Sequence, residues 1–136
     1  MRYYILNTNK RNVPDCEDDM LRLGKCSAYN DKKHKIEKIL KGDIIFLYSS
    51  GRGIIPFGIA TGDIEKSDFK GGEEYSQKLI QFKKLNEPIS YGAVNKIIFK
   101  GKEKLAVNGT LVNNSGWKGE KIFEYLTKSP SIKFTK

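Results

Sequence analysis

The chain is poor in the residues that usually announce chemistry: 136 residues include two cysteines, one histidine and one tryptophan. Cys16 and Cys26 are too few for a disulfide framework, and with His34 as the only imidazole they make no zinc-spaced cluster. No run comes near the ~20 apolar residues of a membrane helix. Met1-Arg2 leads into a strand-like stretch instead of a signal-peptide core, so a cytoplasmic protein with no membrane partner is expected. Acid is also scarce, with 16 Asp+Glu against 25 Lys+Arg giving a net charge of +9. That balance points to a polyanionic partner, nucleic acid before membrane because no amphipathic anchor stands out; solubility is the alternative use of the charge.

Catalytic constellations are missing as well. His34 lies within a lysine run and reads as solvated helix surface, not as a general base. The stretch Ser49-Ser50-Gly51-Arg52-Gly53 lacks both the Gly-x-Ser-x-Gly elbow and the Lys-Ser/Thr end of a phosphate loop. Asp15, Glu17, Asp18 and Asp19 carry oxygens of the kind Mg²⁺ takes. Pro14-Asp15 with Asp31-Lys32-Lys33 loosely imitates a Pro-Asp…Asp-x-Lys nuclease site, but Asp31 and Lys33 read as the start of a helix, where that metal chemistry does not assemble. The chain is expected to be no enzyme and to hold no metal or cofactor.

What is present suits one globular domain over residues 1–128, followed by a tail at 129–136 with little reason to be ordered: 38% of residues are hydrophobic and 30% charged. RYYILNTN predicts a strand ending near Asn7. Pro14, the acids after it, Met20, Leu21, Leu23 and then Gly24 spell a short helix with start and stop in order. A second helix is expected over DKKHKIEKILKG, with Ile36, Ile39 and Leu40 inward and Lys32, Lys33, Lys35 and Lys38 outward. KGDIIFLYSSGRGIIPFGIATG reads as two apolar strands around a polar tip, and the lack of alternation in Ile44–Leu47 predicts burial on both faces. A loop over Asp68–Gly72, a strand in the second half of EEYSQKLIQFKKLNEPI ended by Pro88, a short helix in SYGAVNKIIF, a hairpin turning at Asn108-Gly109 and a helix holding Ile122, Phe123 and Leu126 complete the reading. The class is α+β: a small mixed β-barrel flanked by short helices.

The phrases YYILNTN, KCSAYNDKKHKIEKILKGD and IIFLYSSGRGIIPFGIATG resemble the EVE branch of the PUA-like superfamily and, more distantly, YTH domains, over roughly residues 2–66. The resemblance implies a pseudo-barrel whose pocket, between the end of the first strand, the segment after the first helix and the end of the next apolar strand, accepts a modified base. By that resemblance Asn7, Thr8 and Asn9 form the polar exit of strand one. Cys26-Ser27 stands where YTH relatives carry Trp-Ser, so an aromatic wall has to come from Tyr29, Tyr48, Phe69 or Tyr75. Ser49 and Ser50 border the same pocket, while Lys32, Lys33, Lys35 and Arg52 are the expected phosphate contacts. The leading expectation is a non-catalytic nucleic-acid-binding domain, with an effector protein as a further partner. A small-molecule or protein-interaction module using the same pocket is the second reading, and a metal-dependent nuclease the third.

Overall fold

The computed structural model describes residues 2–135. Its centre is a parallel pair, β1 (Tyr3–Asn7) and β3 (Ile44–Ser49), aligned from Tyr3 opposite Ile44 to Asn7 opposite Tyr48. Because side chains alternate along a strand, Tyr3, Ile5, Ile44, Phe46 and Tyr48 enter one core while Tyr4, Leu6, Ile45 and Leu47 enter a second on the opposite face. Both strands are thus apolar throughout, as their unbroken hydrophobic run requires.

Three elements between these strands in the chain cover the second core. Helix α1 (Pro14–Leu23) starts with Pro14 in its first turn and ends at Gly24 in the left-handed conformation, φ 64°. Strand β2 (Lys25–Tyr29) follows. The next segment, expected as an α-helix, is a 3₁₀ helix over Asn30–Lys38. Ile36 is its single buried residue, so an α-helical apolar stripe would have nothing to face. The Gln77 side-chain amide fixes its end instead, donating to the carbonyls of Ile36 and Ile39 at 3.1 and 2.7 Å. Leu40, expected inward, is 58% exposed; its N–H bonds the buried Asp43 carboxylate at 2.8 Å, which also takes the Arg2 guanidinium at 3.1 Å.

The rest of the sheet is antiparallel. β4 (Gly53–Phe69) and β5 (Gly72–Ile89) form a long hairpin around Lys70-Gly71, whose φ values of 49° and 79° are those of a primed two-residue turn. Three register shifts between these strands, and Gln81 at φ 50°, bend the hairpin. α2 (Tyr91–Ala93) runs into a π-helical turn over Val94–Ile98, where a short helix was expected. The Asn108-Gly109 hairpin is not formed: residues 103–108 have no strand, and β6 (Leu111–Asn113) pairs antiparallel with β1. The amides of Asn95 and Asn114 bond the backbone of Leu105 and Ala106 and take the place of a strand partner. Helix α3 (Trp117–Lys128) seals the first core with Ile122 and Leu126. The tail returns as β7 (Phe134–Thr135) on β5, because Phe134 finds Phe57 at 6.0 Å between ring centroids. The strand path is β2-β5-β4-β3-β1-β6, a mixed half-barrel whose two ends, β2 and β6, do not pair with each other.

A buried carboxylate ties the ends of β1 and β3 to α1. Glu17 is 1% exposed. It accepts the Thr8 hydroxyl at 2.7 Å and the Arg52 guanidinium at 3.1 Å, with the Lys10 ammonium at 3.4 Å. Burial alone would raise its pKa, but the hydroxyls of Ser49 and Thr8 and the charge of Lys10 outweigh that, and the net direction is down. Stabilisation from Glu17 is therefore fully present above its unfolded pKa of about 4.3 and is lost as pH falls through the lower folded value. Glu17→Gln should cost about 1–3 kcal/mol at pH 7, below the cost of stranding a buried charge, since Lys10 and Arg52 both reach solvent. Denaturant titrations at pH 7 and pH 3 check this: the gap between the two proteins should narrow at the lower pH.

Helix α3 touches β1 through Gly119, where an added Cβ would overlap the Tyr3 side chain. Glycine to alanine inside a helix ordinarily stabilises by up to ~1 kcal/mol. Gly119→Ala should do the reverse, lowering stability by about 1–3 kcal/mol through overpacking, readable as a fall in the midpoint of thermal or denaturant unfolding.

Candidate functional site

At the carboxyl ends of β1 and β2 lies a cleft of about 490 Å³. β1 delivers Asn7 and the turn just after it Asn9; β2 delivers Ser27, Ala28 and Tyr29; the first 3₁₀ turn delivers Asn30, Asp31 and Lys32. Ser50 comes from the β3–β4 tip, Arg11 and Asn12 from the loop before α1, and Gly109 and Thr110 from the approach to β6. The cleft thus opens between the end of β2 and the two residues that lead into β6.

Four asparagines give the cleft its chemistry. Asn7 accepts the Asn9 N–H at 3.0 Å, Asn9 accepts from the Asn12 amide at 2.9 Å, and Asn30 accepts the Glu73 N–H at 3.1 Å, each through its side-chain oxygen. These bonds orient the amides and leave the NH₂ groups of Asn7 and Asn30 as donors. Asn9 and Asn30 have φ of 62° and 52°, left-handed values that asparagine tolerates better than most residues. Arg11 and Lys32 bring positive charge to the lining, and Asp31 the one carboxylate.

Of the four candidate aromatic walls, Tyr29 alone lines this cleft. Phe69 backs it, with ring centroids 5.0 Å apart at 48°. The Tyr29 hydroxyl has no hydrogen-bond partner among the described residues; burial pushes its pKa up, and nearby Cys16 and Glu74 push the same way. Tyr75 is occupied elsewhere, with Lys66 and Lys33 over its ring at 5.0 and 5.7 Å and His34 at its edge. Tyr48 faces the first core and a different groove.

Several expected pocket residues are therefore placed otherwise. Thr8 turns inward to Glu17. Cys26 is fully buried among the residues of the second core, where burial pushes its thiol up to about 12 and leaves it inert. Ser49 is buried beneath the tip, one residue from Ser50 in the lining. Ser27 reaches the cleft, but its hydroxyl donates to the buried Glu74 at 2.7 Å, which Lys25 neutralises at 2.6 Å. Among the expected phosphate contacts, Lys32 lines the cleft, Arg52 is held by Glu17, Lys33 is paired with Glu73 at 2.7 Å, and Lys35 is half-buried outside the lining. Asp15 pairs with Lys70 at 2.5 Å and does not meet Asp31. Among the described residues no group of three or more His, Cys, Asp or Glu is placed to hold a metal ion, and no helix is long and apolar enough to cross a membrane.

Arg11, Asn12, Gly109 and Thr110 were not singled out for the site. The polar turn Asn9–Asn12 was a signal for the first pair; nothing local marks Gly109 and Thr110, which arrive because β6 pairs with the distant β1, Leu111 opposite Leu6.

No protein-family model and no curated protein matches the chain. Solved structures do. Protein PSPTO5229 from Pseudomonas syringae superposes with a TM-score of 0.55 at 10% identity, covering 91% of this chain and 98% of its own. Rpa0253 from Rhodopseudomonas palustris gives 0.53 at 14% identity, covering 90% of each chain. At these identities the likeness is one of fold: an α+β chain built on a mixed half-barrel sheet.

Proposed function

We propose that the protein is a non-catalytic nucleic-acid-binding domain that takes a single extruded or single-stranded base into the asparagine-lined cleft. The observation that carries this reading is the meeting of one aromatic wall, Tyr29, with the free amide donors of Asn7 and Asn30 and the cations Arg11 and Lys32 in one cleft. A ring stacked on Tyr29 gains ~1–3 kcal/mol. Amide donors meet the carbonyl and ring-nitrogen acceptors of a base edge, and the cations take the flanking phosphates. One wall in place of a full aromatic cage means modest discrimination: a methyl group entering the apolar side by Ala28 would add about 0.8 kcal/mol, roughly fourfold in affinity.

Calorimetric titration with short single-stranded oligonucleotides tests the reading. Arg11→Ala and Lys32→Ala should weaken binding to all sequences alike, each reducing the steepness of log K against log salt by up to about 0.7. Ser50→Phe, which fills the cleft from the hairpin tip, should abolish the preference among bases while leaving the salt-dependent component. Binding that is insensitive to salt and to all three substitutions would overturn the proposal.

The same reading expects no nuclease activity. Incubated with Mg²⁺ or Mn²⁺, the protein should leave single- and double-stranded DNA and RNA intact; cleavage that disappears with Asp15→Ala would replace the binding role with an enzymatic one.

A further inference from the structure

A second groove, of about 460 Å³, lies directly across the Asn108–Thr110 segment from the first cleft. Consecutive residues divide between the two: Asn108 lines the groove and Gly109 the cleft. The strands divide in the same way, since Asn7 lines the cleft while Tyr48, its partner in the parallel register, lines the groove. Neighbouring strands are ~4.8 Å apart and paired residues share a face, so the two cavities are neighbours along the ends of β1 and β3.

Their chemistry differs. The cleft carries amides and charge; the groove lining has no charged residue and consists of Tyr48, Tyr91, Leu105, Ala106, Val107 and Val112 beside the single amide of Asn108. Tyr91 presents its ring at 36% exposure. It stands at the start of α2, whose first turn is capped by the Ser90 hydroxyl accepting the Ala93 N–H at 3.1 Å. The opposite wall is firmly held although it is not a strand: Asn95 accepts the Leu105 N–H at 2.7 Å, and the buried Asn114 amide bonds both the N–H and the carbonyl of Ala106, at 3.2 and 3.0 Å. A groove with fixed walls, an exposed tyrosine and no charge suits an uncharged flat ring. An acidic group would find no cation in the lining.

We propose that this groove is a second base subsite, in which Tyr91 stacks on the ring of the nucleotide adjacent to the one held in the cleft, with the intervening phosphate crossing the Asn108–Thr110 crest. The inference rests on the base-binding reading of the first cleft and extends it from one nucleotide to two splayed neighbours.

The test compares single-stranded mono-, di- and trinucleotides, in ribose and deoxyribose forms, on wild type, Tyr91→Ala, Tyr91→Phe and Ser50→Phe. Tyr91→Ala should leave mononucleotide affinity within twofold and lower dinucleotide affinity roughly fivefold or more, the loss of one base-stacking contact. Tyr91→Phe keeps the ring and should match wild type on every ligand. Circular dichroism melts identify any variant that loses its fold. Dinucleotide binding unchanged by Tyr91→Ala, alongside a base preference that Ser50→Phe abolishes, would overturn the second subsite and leave the first standing. An equal loss on mono- and dinucleotides in Tyr91→Ala would also overturn it. Wild type that binds none of these ligands would overturn both readings.

Discussion

Everything in this molecule is arranged around a parallel strand pair that has no solvent side. β1 and β3 are filled with apolar residues on both faces, so each face must be covered: by α1, the 3₁₀ segment and the bend of the β4–β5 hairpin on one side, and by the π-helical turn, α3 and β7 on the other. Parallel neighbours cannot be joined by a tight turn. The chain between them, residues 8–43, is the crossover, and it contains α1, β2 and the 3₁₀ helix in succession. Most of the cleft lining comes from that crossover and from the β1 exit that feeds it. The site is thus a by-product of the topological demand that a parallel pair makes.

Polar order within the site follows from the same constraint. Where β1 leaves the sheet, Thr8 must turn inward, and Glu17 accepts its hydroxyl from the first turns of α1. Asn7 and Asn9 then project on the other side of the backbone, into the cleft. One buried carboxylate therefore decides which way three consecutive polar residues point, and it also holds Arg52, fixing the tip that carries Ser50. The outward amides are rigid because their own neighbours use one of their two functional ends.

Much of this was legible from residues alone. Start and stop of α1 were spelled by Pro14 and Gly24, the end of β1 by its Asn/Thr cluster, and two-sided burial of β3 by its unbroken apolar run. What failed had a common cause, namely long-range partners overriding local signals. Asn108-Gly109 is the strongest short hairpin signal in the chain, yet the primed turn sits at Lys70-Gly71, where lysine gives no hint of φ 49°. The lysine-rich segment 30–38 is shaped by Gln77, and the last residues gain order only because Phe57 is there to receive Phe134. Of the residues expected from chemistry and resemblance, Asn7, Asn9, Ser27, Tyr29, Ser50 and Lys32 meet in one cleft. Cys26, Thr8, Tyr48 and Ser49 do not line it, because strand alternation turns one residue out and the next in, and a shift of one position reverses that assignment.

The strand path begins at β2 and ends at β6, and the cleft is lined by the end of β2 and by the residues that enter β6. Edge strands carry backbone groups with no neighbour on one side, so a guest seated there stands where another strand would otherwise be. An occupant bonded to both margins would stand in for the missing strand and complete the circumference. Ligand occupancy and the rigidity of the two margins are then one variable, and slowed amide exchange in β2 and β6 together would report occupancy from the scaffold's side.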